Sequence, residues 1–153
     1  MAYGQQLAAI TMQHLDGATF ASKIPLHQAE ATLHLPSPHI RVMGLWRLRP
    51  WLAHLLIPTA PSVQLKALRV GSMLLLGTPC DFSGELALQL QSSWHEDELE
   101  IVCTSFNGDY IGYVVPQKYY FLNEYETQVM GFYGLYTGPY MTEMLRRLGE
   151  FMM

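Results

Sequence analysis

The fold is decided by one apolar stretch, VQLKALRVGSMLLLGTP, at residues 63–79. Its first part, residues 63–68, alternates apolar and polar side chains, which is typical of a strand with one covered face. A turn at residues 69–71 follows. Residues 72–79 form a second, more continuous apolar run, which indicates a strand in the middle of a sheet. The two runs therefore predict a hairpin or a pair of adjacent strands.

Two further segments extend this strand pair. Residues 83–92 carry apolar side chains at helical spacing, and they follow Ser83, a residue type that commonly caps a helix N-terminus. Residues 99–106, LEIVCTSF, predict another strand. A strand, a helix and a strand in this order are typical of a parallel βαβ unit.

The rest of the chain predicts elements that flank such a sheet. Apolar spacing predicts a helix over residues 3–17, and residues 28–36 alternate as a strand does. Pro116 is placed to open a helix that runs through Val129, and residues 139–153 predict an amphipathic helix. We therefore predict an α/β (mixed α+β) fold with a central, mostly parallel or mixed sheet flanked by helices. The whole chain forms a single domain or part of one.

Composition excludes several classes of protein. Half of the 153 residues are hydrophobic and only 14% are charged, against about 25% in a typical domain, so the chain either folds as one domain or has apolar faces that need partners. The net charge of -4 gives no basic footprint and argues against nucleic-acid binding. The longest apolar run is far shorter than the ~20 residues that span a bilayer. No signal peptide is visible, and two cysteines are too few for a disulfide framework.

The segment from Met43 to Pro61 is rich in Trp, Leu and Pro and predicts a short helix or a lid-like loop. Two interpretations remain open for its apolar residues between Trp46 and Ile57. The first, which we favour, is that they cover the sheet as part of the core. The second is that they form a surface that contacts an acyl chain or a membrane.

Polar residues follow two of the predicted strands, at the edge where ligands collect in βα sheets. Asp81 comes directly after the strand that ends at residue 79, and Asp109, Tyr110 and Tyr113 come after the next strand. A carboxylate and a phenol are both oxygen ligands for a metal, although a phenol needs the charge of the metal to ionise. Acidic residues in such places are more often turn formers or helix caps, and tyrosines near glycine are more often packing residues.

Four stretches in register resemble the neutral/alkaline ceramidase family. They are VGSMLLLGTPCDFSGE (70–85), FNGDYIGYVVP (106–116), EYE (124–126) and FYGLYTGPY (132–140). The family has a Gly-Ser-(apolar)-Pro-Gly-Glu-Phe strand, then a Tyr-x-x-Tyr element, a Tyr-Glu pair and a Tyr-Gly-x-x-Thr element, in that order. The similarity is weakest between about residues 36 and 62, and residues 3–15 resemble the helix that follows the family's nucleophile region.

This resemblance implies a zinc-dependent amidohydrolase that hydrolyses the N-acyl amide of ceramide to fatty acid and sphingosine. The zinc-binding glutamate of the family falls on Asp81, and its ligand tyrosine falls on Tyr113. A further active-site tyrosine falls on Tyr125, where it would donate a hydrogen bond toward the developing oxyanion. We also predict a catalytic role for Tyr110, the first tyrosine of the Tyr-x-x-Tyr pair.

The chain departs from the family pattern in three ways. Asp81 is one methylene shorter than the glutamate of the family, and Cys80 replaces a glycine. The family's two zinc-binding histidines and its nucleophilic serine lie upstream of the region covered, and none of the six histidines here falls in a matching motif. We therefore predict one zinc ion whose remaining ligands come from an upstream part of the catalytic domain, and an isolated chain that is inactive.

The resemblance also implies partners and leaves other functions open. A ceramide-like lipid would be the substrate, contact with a membrane surface would follow from that substrate, and the family suggests a secreted, periplasmic or membrane-associated protein. One alternative is a ceramidase-like module that has lost its chemistry and binds a partner, which the changes at Cys80 and Asp81 support. Another is a hydrolase of a different amide on the same scaffold.

Overall fold

The computed structural model describes residues 2–57, 59–94 and 99–153, and over these residues the protein has a mixed α/β fold, as predicted. The α-helices are α1 (Ala2–Asp16), α2 (Pro50–Leu56), α3 (Gly84–Ser92) and α4 (Thr137–Met152). The strands are β1 (Leu26–His34), β2 (Arg41–Met43), β3 (Trp46–Arg47), β4 (Ser62–Val70), β5 (Met73–Gly77), β6 (Asp81–Phe82), β7 (Glu100–Thr104) and β8 (Tyr113–Val114).

The central sheet is mixed and has the strand order β1-β4-β5-β7. β4 and β5 form the predicted antiparallel hairpin, which turns at Gly71 with a φ of +60°. β5 and β7 are parallel and are joined through α3, so the predicted βαβ unit is confirmed. β1 adds an antiparallel edge strand beside β4.

One face of this sheet is covered by helices and holds the core. Leu65, Leu74 and Leu76 on that face are fully buried, as are Met141 and Leu145 of α4. The burial of each such side chain contributes about 1.5–3 kcal/mol of hydrophobic free energy. The predicted amphipathic C-terminal helix therefore exists and stabilises the sheet.

Close packing of the Trp94 indole against α4 depends on a glycine of that helix. A Cβ atom at Gly149 would lie 2.7 Å from the indole of Trp94 and 3.6 Å from a methyl group of Leu74. The absence of a side chain at Gly149 therefore lets the Trp94 indole pack against α4 at a distance that a larger residue would not allow.

The predicted helix from Pro116 through Val129 is wrong. One turn of 3₁₀ helix, Gln117–Tyr119, is followed by successive turns. The reason is tertiary, because the carbonyl oxygen of Leu122 accepts hydrogen bonds from the Arg41 guanidinium and from the Thr127 hydroxyl. These bonds replace the hydrogen bond that a continuing helix would make to that carbonyl.

Two smaller predictions are also wrong. α3 does begin directly after Ser83, but the Ser83 side chain makes no capping hydrogen bond. The residues between Trp46 and Ile57 do not cover the sheet as we favoured. Trp46 is 77% exposed and Trp51 is 64% exposed, while in α2 only Ala53 is buried. Only Ala53 of this segment belongs to the buried core, with Leu48 and Ile57 packed against it.

The predicted N-terminal helix exists as α1, but every side chain described for it, from Tyr3 to Asp16, is exposed. Its apolar residues Leu7, Ile10 and Leu15 are all roughly half exposed. None of the helices in the described ranges is both long and apolar enough to cross a membrane.

Candidate active site

The loops after residues 79 and 106 meet in a small parallel sheet of two strands. β6 and β8 pair in the register that places Asp81 opposite Tyr113 and Phe82 opposite Val114. Side chains of register partners in a sheet point to the same face, so the carboxylate and the phenol lie on one side. The adjacency that the sequence predicted is therefore present, while the roles of the two residues as metal ligands stay predictions.

Backbone hydrogen bonds fix both strand ends. The amide of Asp81 donates to the carbonyl of Gly112 over 3.0 Å, and the amide of Tyr113 donates to the carbonyl of Met130 over 2.8 Å. Gly112 has a φ of +81°, and a Cβ atom there would lie 2.2 Å from the Met130 carbonyl oxygen. The strand that carries Tyr113 is thus held from both sides at a distance that only glycine permits.

The electrostatics of this pair keep the phenol protonated in the absence of a cation. A hydrogen bond to the Asp81 carboxylate, and then the negative charge of that carboxylate, raise the pKa of the Tyr113 phenol. Partial burial is the largest cause of the raised pKa of the Tyr110 phenol. Charge on Tyr125, Asp81 and Cys80 raises this pKa further. Both phenols are therefore hydrogen-bond donors at neutral pH, and a bound cation would be needed to ionise Tyr113.

The other predicted tyrosines surround this pair. The ring of Tyr125 packs edge to face on the ring of Tyr113, with centroids 5.8 Å apart. The ring of Tyr110 stands edge to face on buried Phe132, 6.3 Å away. Asp109 is exposed beside Tyr110. The structure thus gathers Asp81, Tyr113, Tyr125 and Tyr110 on one rim, which is open to solvent.

Two residues that sequence reasoning missed hold the turn that presents Tyr125. Arg41 is 1% exposed, its guanidinium lies over the ring of Tyr120 at 5.2 Å from the centroid, and it donates to the carbonyl of Leu122. The buried Thr127 hydroxyl donates to the carbonyls of Leu122 and Glu124 at 2.7 and 3.1 Å. Arg41 lies 81 residues from Leu122 in sequence, so no local signal could have paired them.

The donor set fits half of a zinc site. Asp81 and Tyr113 offer two oxygen atoms, whereas zinc in proteins usually takes four ligands. Across residues 2–57, 59–94 and 99–153, no cluster of three or more His, Cys, Asp or Glu side chains could hold a metal ion. Cys80 is fully buried, and burial raises the pKa of its thiol to about 12, so it stays a protonated core residue.

The remaining candidate residues have structural explanations or lie outside the described residues. His14, His27, His34, His39 and His54 are exposed. The prediction that His95 is an ordinary residue falls outside the described residues. The hydroxyl of Ser105 accepts a hydrogen bond from the amide of Phe82 over 3.1 Å, which agrees with a structural role.

Within the described residues, a sizeable cavity lies next to a different part of the chain. It has a volume of about 690 Å³ and its lining includes His34, Arg47, Tyr133, Tyr136 and Tyr140. None of the four predicted site residues lines it. The candidate active site is accordingly an open rim in this chain and not an enclosed pocket.

Comparison with solved structures places this fold among the ceramidases. The neutral ceramidase from Pseudomonas aeruginosa matches 81% of the chain with a TM-score of 0.60 and 15% identity. A ceramidase complexed with C2 matches 59% of the chain with a TM-score of 0.53 and 21% identity. The chain spans only 28% and 15% of the lengths of these two proteins. No protein-family model and no curated protein sequence matches it.

These matches define a fold and not an activity. The fold, a mixed sheet flanked by helices, is similar to part of a ceramidase-type domain. Two solved structures that share it are the neutral ceramidase from Pseudomonas aeruginosa and a ceramidase complexed with C2. At such low identity the likeness establishes the shared fold alone, so the reaction and the substrate of this chain are matters for proposal.

Proposed function

We propose that this chain is part of a zinc-dependent amidohydrolase of the neutral ceramidase type, which hydrolyses the N-acyl amide of a ceramide to a fatty acid and sphingosine. The observation that carries this proposal is the register of β6 and β8, which sets Asp81 directly opposite Tyr113. The fold shared with two ceramidases supports the choice of scaffold. The motif order in the sequence supports the choice of the two residues.

In this proposal Asp81 and Tyr113 hold the metal from one side. Zinc, when bound, polarises the amide carbonyl and lowers the pKa of the attacking oxygen. The register of β6 and β8 keeps the Asp81 and Tyr113 side chains on the same side of the small sheet, where both would face the metal. Tyr125, whose ring lies against that of Tyr113, would donate a hydrogen bond from its phenol to the oxygen that gains charge as the amide is attacked.

Tyr110 has a supporting role in the same proposal. Its phenol is protonated at neutral pH, since the ordinary tyrosine pKa is 10.0 and partial burial raises that of Tyr110, so it can donate a hydrogen bond to the substrate. The reaction breaks the amide C–N bond, and water supplies the hydroxyl of the fatty acid and a proton of the amine. The remaining zinc ligands and the nucleophile would come from an upstream part of the catalytic domain, so the isolated chain should be inactive.

A lipid substrate also requires access to a membrane surface, and one segment is suited to that contact. Trp46, Trp51 and Leu55 are all more than 60% exposed. Arg47 and Arg49, which are close to them in the sequence, are exposed, and residues 31–80 contain no Asp or Glu. Exposed indoles near arginines favour an anionic membrane interface.

We expect the double variant Trp51→Ser, Leu55→Ser to bind phosphatidylglycerol vesicles less well in flotation, and unchanged binding would contradict this contact.

Two other functions compete with this one. A non-catalytic binding module would explain Asp81 and Cys80 in place of the family's residues. A hydrolase of another amide would use the same rim with a different substrate. The pairing of Asp81 with Tyr113 favours chemistry over its loss, because it brings two oxygen ligands for a metal to the same side of the small sheet.

The deciding experiment uses the full-length protein that contains this chain, loaded with zinc. We expect Asp81→Ala and Tyr113→Phe each to abolish ceramide hydrolysis and to lower zinc content, with the melting temperature nearly unchanged. Ser83→Ala is the matched control, because Ser83 adjoins β6 and its side chain makes no capping bond. Near-normal turnover and zinc content in either variant would remove that residue from the site.

The same assay separates the alternatives. Ceramide binding without turnover by the unmodified protein would favour the binding module. Faster hydrolysis of short-chain N-acyl amines than of ceramides, abolished by a chelator, would favour another amide as substrate.

A further inference from the structure

Phe106 has a backbone conformation that a large side chain rarely adopts. Its φ is +62°, and among the described residues it is the only one other than glycine with a positive φ. This left-handed region costs free energy for any residue with a Cβ atom, and Gly and Asn are the usual occupants. The residue at this position in the rim loop is nevertheless a phenylalanine.

The conformation is held in place by bonds on both sides of Phe106. Its amide donates to the carbonyl of Cys80 over 3.2 Å, and the amide of Asn107 donates to the carbonyl of Thr78 over 2.8 Å. The side-chain amide of Asn107 donates to the Thr104 carbonyl and hydroxyl at 3.1 and 2.9 Å. The turn is thus specified by its surroundings, which can force the strained φ but do not require a phenyl ring there.

The ring of Phe106 contributes little to the core. It is 60% exposed, and it lies outside the buried cluster of the protein. It stacks on Tyr110 with centroids 5.7 Å apart and planes at 19° to each other. Tyr110 is itself anchored edge to face on Phe132. Phe106 and Tyr110 thus form a stacked aromatic pair that packs on Phe132 and is exposed to solvent.

This pair borders the candidate site directly. The backbone of Phe106 is bonded to Cys80, the residue before Asp81, and Tyr110 is three residues before Tyr113. Phe106 is exposed, so burial of its ring does not offset the free-energy cost of its backbone conformation. Backbone strain of this kind is typical of functional sites. An apolar surface beside a site for amide hydrolysis fits the hydrocarbon chain of an amide substrate.

We propose that the Phe106–Tyr110 stack is a binding subsite for a hydrocarbon chain of the amide substrate and makes Phe106 a specificity-determining residue. This inference rests on the proposed function and adds to it. The hydrocarbon chain of the substrate would lie across the two stacked rings, while the amide group of the substrate reaches Asp81 and Tyr113. The metal ligands then set the chemistry, and the aromatic pair selects amides with long chains.

The test is Phe106→Gly in the full-length protein. Glycine adopts the left-handed φ without cost, so the variant removes the ring while the turn is kept, and we expect an equal or higher melting temperature. For N-dodecanoylsphingosine we expect KM to rise about tenfold, which corresponds to about 1.4 kcal/mol. For an N-acetyl amide of a small amine we expect KM to stay the same. Phe151→Ala, which removes an exposed ring on α4, is the control and should change neither value.

An equal KM shift for both substrates, or no shift for either, would overturn the subsite. A second readout does not require turnover. In Phe106→Trp we expect dodecanamide to shift the additional tryptophan emission to shorter wavelength relative to the unmodified protein, and no shift on addition of dodecanamide would also overturn it. If dodecanamide shifts the emission of Phe106→Trp but the unmodified protein hydrolyses no N-acyl amide, the proposed function fails while the hydrocarbon subsite stands.

Discussion

The covered face of the central sheet and the rim around Asp81 use apolar residues in opposite ways. On the covered face, Leu65, Leu74 and Leu76 are fully buried under helices. On the rim, Phe106 and Tyr125 are each 60% exposed, although they are as apolar as many core residues. The covered face therefore stabilises the fold through its side chains, whereas the rim side chains add little to stability and are free to serve chemistry.

The backbone shows the opposite contrast, because special geometry is found in the rim and not in the strands of the covered face. The rim contains Phe106 and Gly112 with positive φ, and its strand ends are bonded to segments far away in sequence. The strands of the sheet have ordinary extended geometry and tolerate most residues on their backbone. In this protein the core is specified by side-chain volume and the rim by backbone geometry.

The largest effect is expected from a cavity in the covered face. Leu74→Ala should lower the free energy of unfolding by about 2–5 kcal/mol, because Leu74 is fully buried against α4. Leu88→Ala is the matched control, since Leu88 of α3 is 67% exposed, and its effect should stay within about 0.5 kcal/mol. Urea unfolding measures both. Equal midpoints for the two variants would mean that the covered face is not the source of stability.

A smaller effect is expected from the rim backbone. Gly112→Ala places a Cβ atom 2.2 Å from the Met130 carbonyl oxygen at a φ of +81°, so we expect a loss of about 1–3 kcal/mol. Gly84→Ala is the control, because a Cβ atom at Gly84 meets nothing within 4 Å and alanine suits the start of α3. Thermal unfolding should show a lower melting temperature for the first variant only, and two unchanged values would contradict the contrast between side chains and backbone.

The smallest effect is expected on the outer face of α4, away from the core. Hydrogen bonds from Arg146 and then Arg147 lower the pKa of Glu143 to about 2. A lowered carboxyl pKa stabilises the folded state above the ordinary pKa of 4.5, and this contribution is lost as the pH falls toward 2. Glu143→Gln should therefore have a slightly lower melting temperature than the unmodified protein at pH 7, and the difference should shrink as the pH falls from 4.5 toward 2. High salt at pH 7 should also reduce the difference, and a difference that grew on acidification would contradict this pairing.

Much of the architecture could be predicted from local patterns in the sequence. The β4–β5 hairpin, the βαβ unit and α4 were all predicted, because their alternating or helical spacing is a property of consecutive residues. The segment after Pro116 was mispredicted for the opposite reason. Its backbone bonds go to Arg41 and Thr127, and a pattern search within one segment does not detect a partner 81 residues away.

The candidate site shows the same division. The sequence placed Asp81, Tyr110 and Tyr113 after two strands, and the resemblance added Tyr125. It did not reveal the left-handed φ of Phe106 or its stack on Tyr110, because both depend on how the loop is bonded to Thr78 and Cys80. It also misplaced the residues near Trp46 in the core, since hydrophobicity alone does not say whether a covering layer is present.

The sequence alone determined most of the strands and helices and which residue types come to the sheet edge, because these properties depend on neighbours within a few positions. The tertiary structure alone decided the exact register of Asp81 with Tyr113, the turn that presents Tyr125 and the strained backbone of Phe106. Each of these depends on hydrogen bonds between residues that are distant in the chain, and such bonds exist only when the whole fold is assembled.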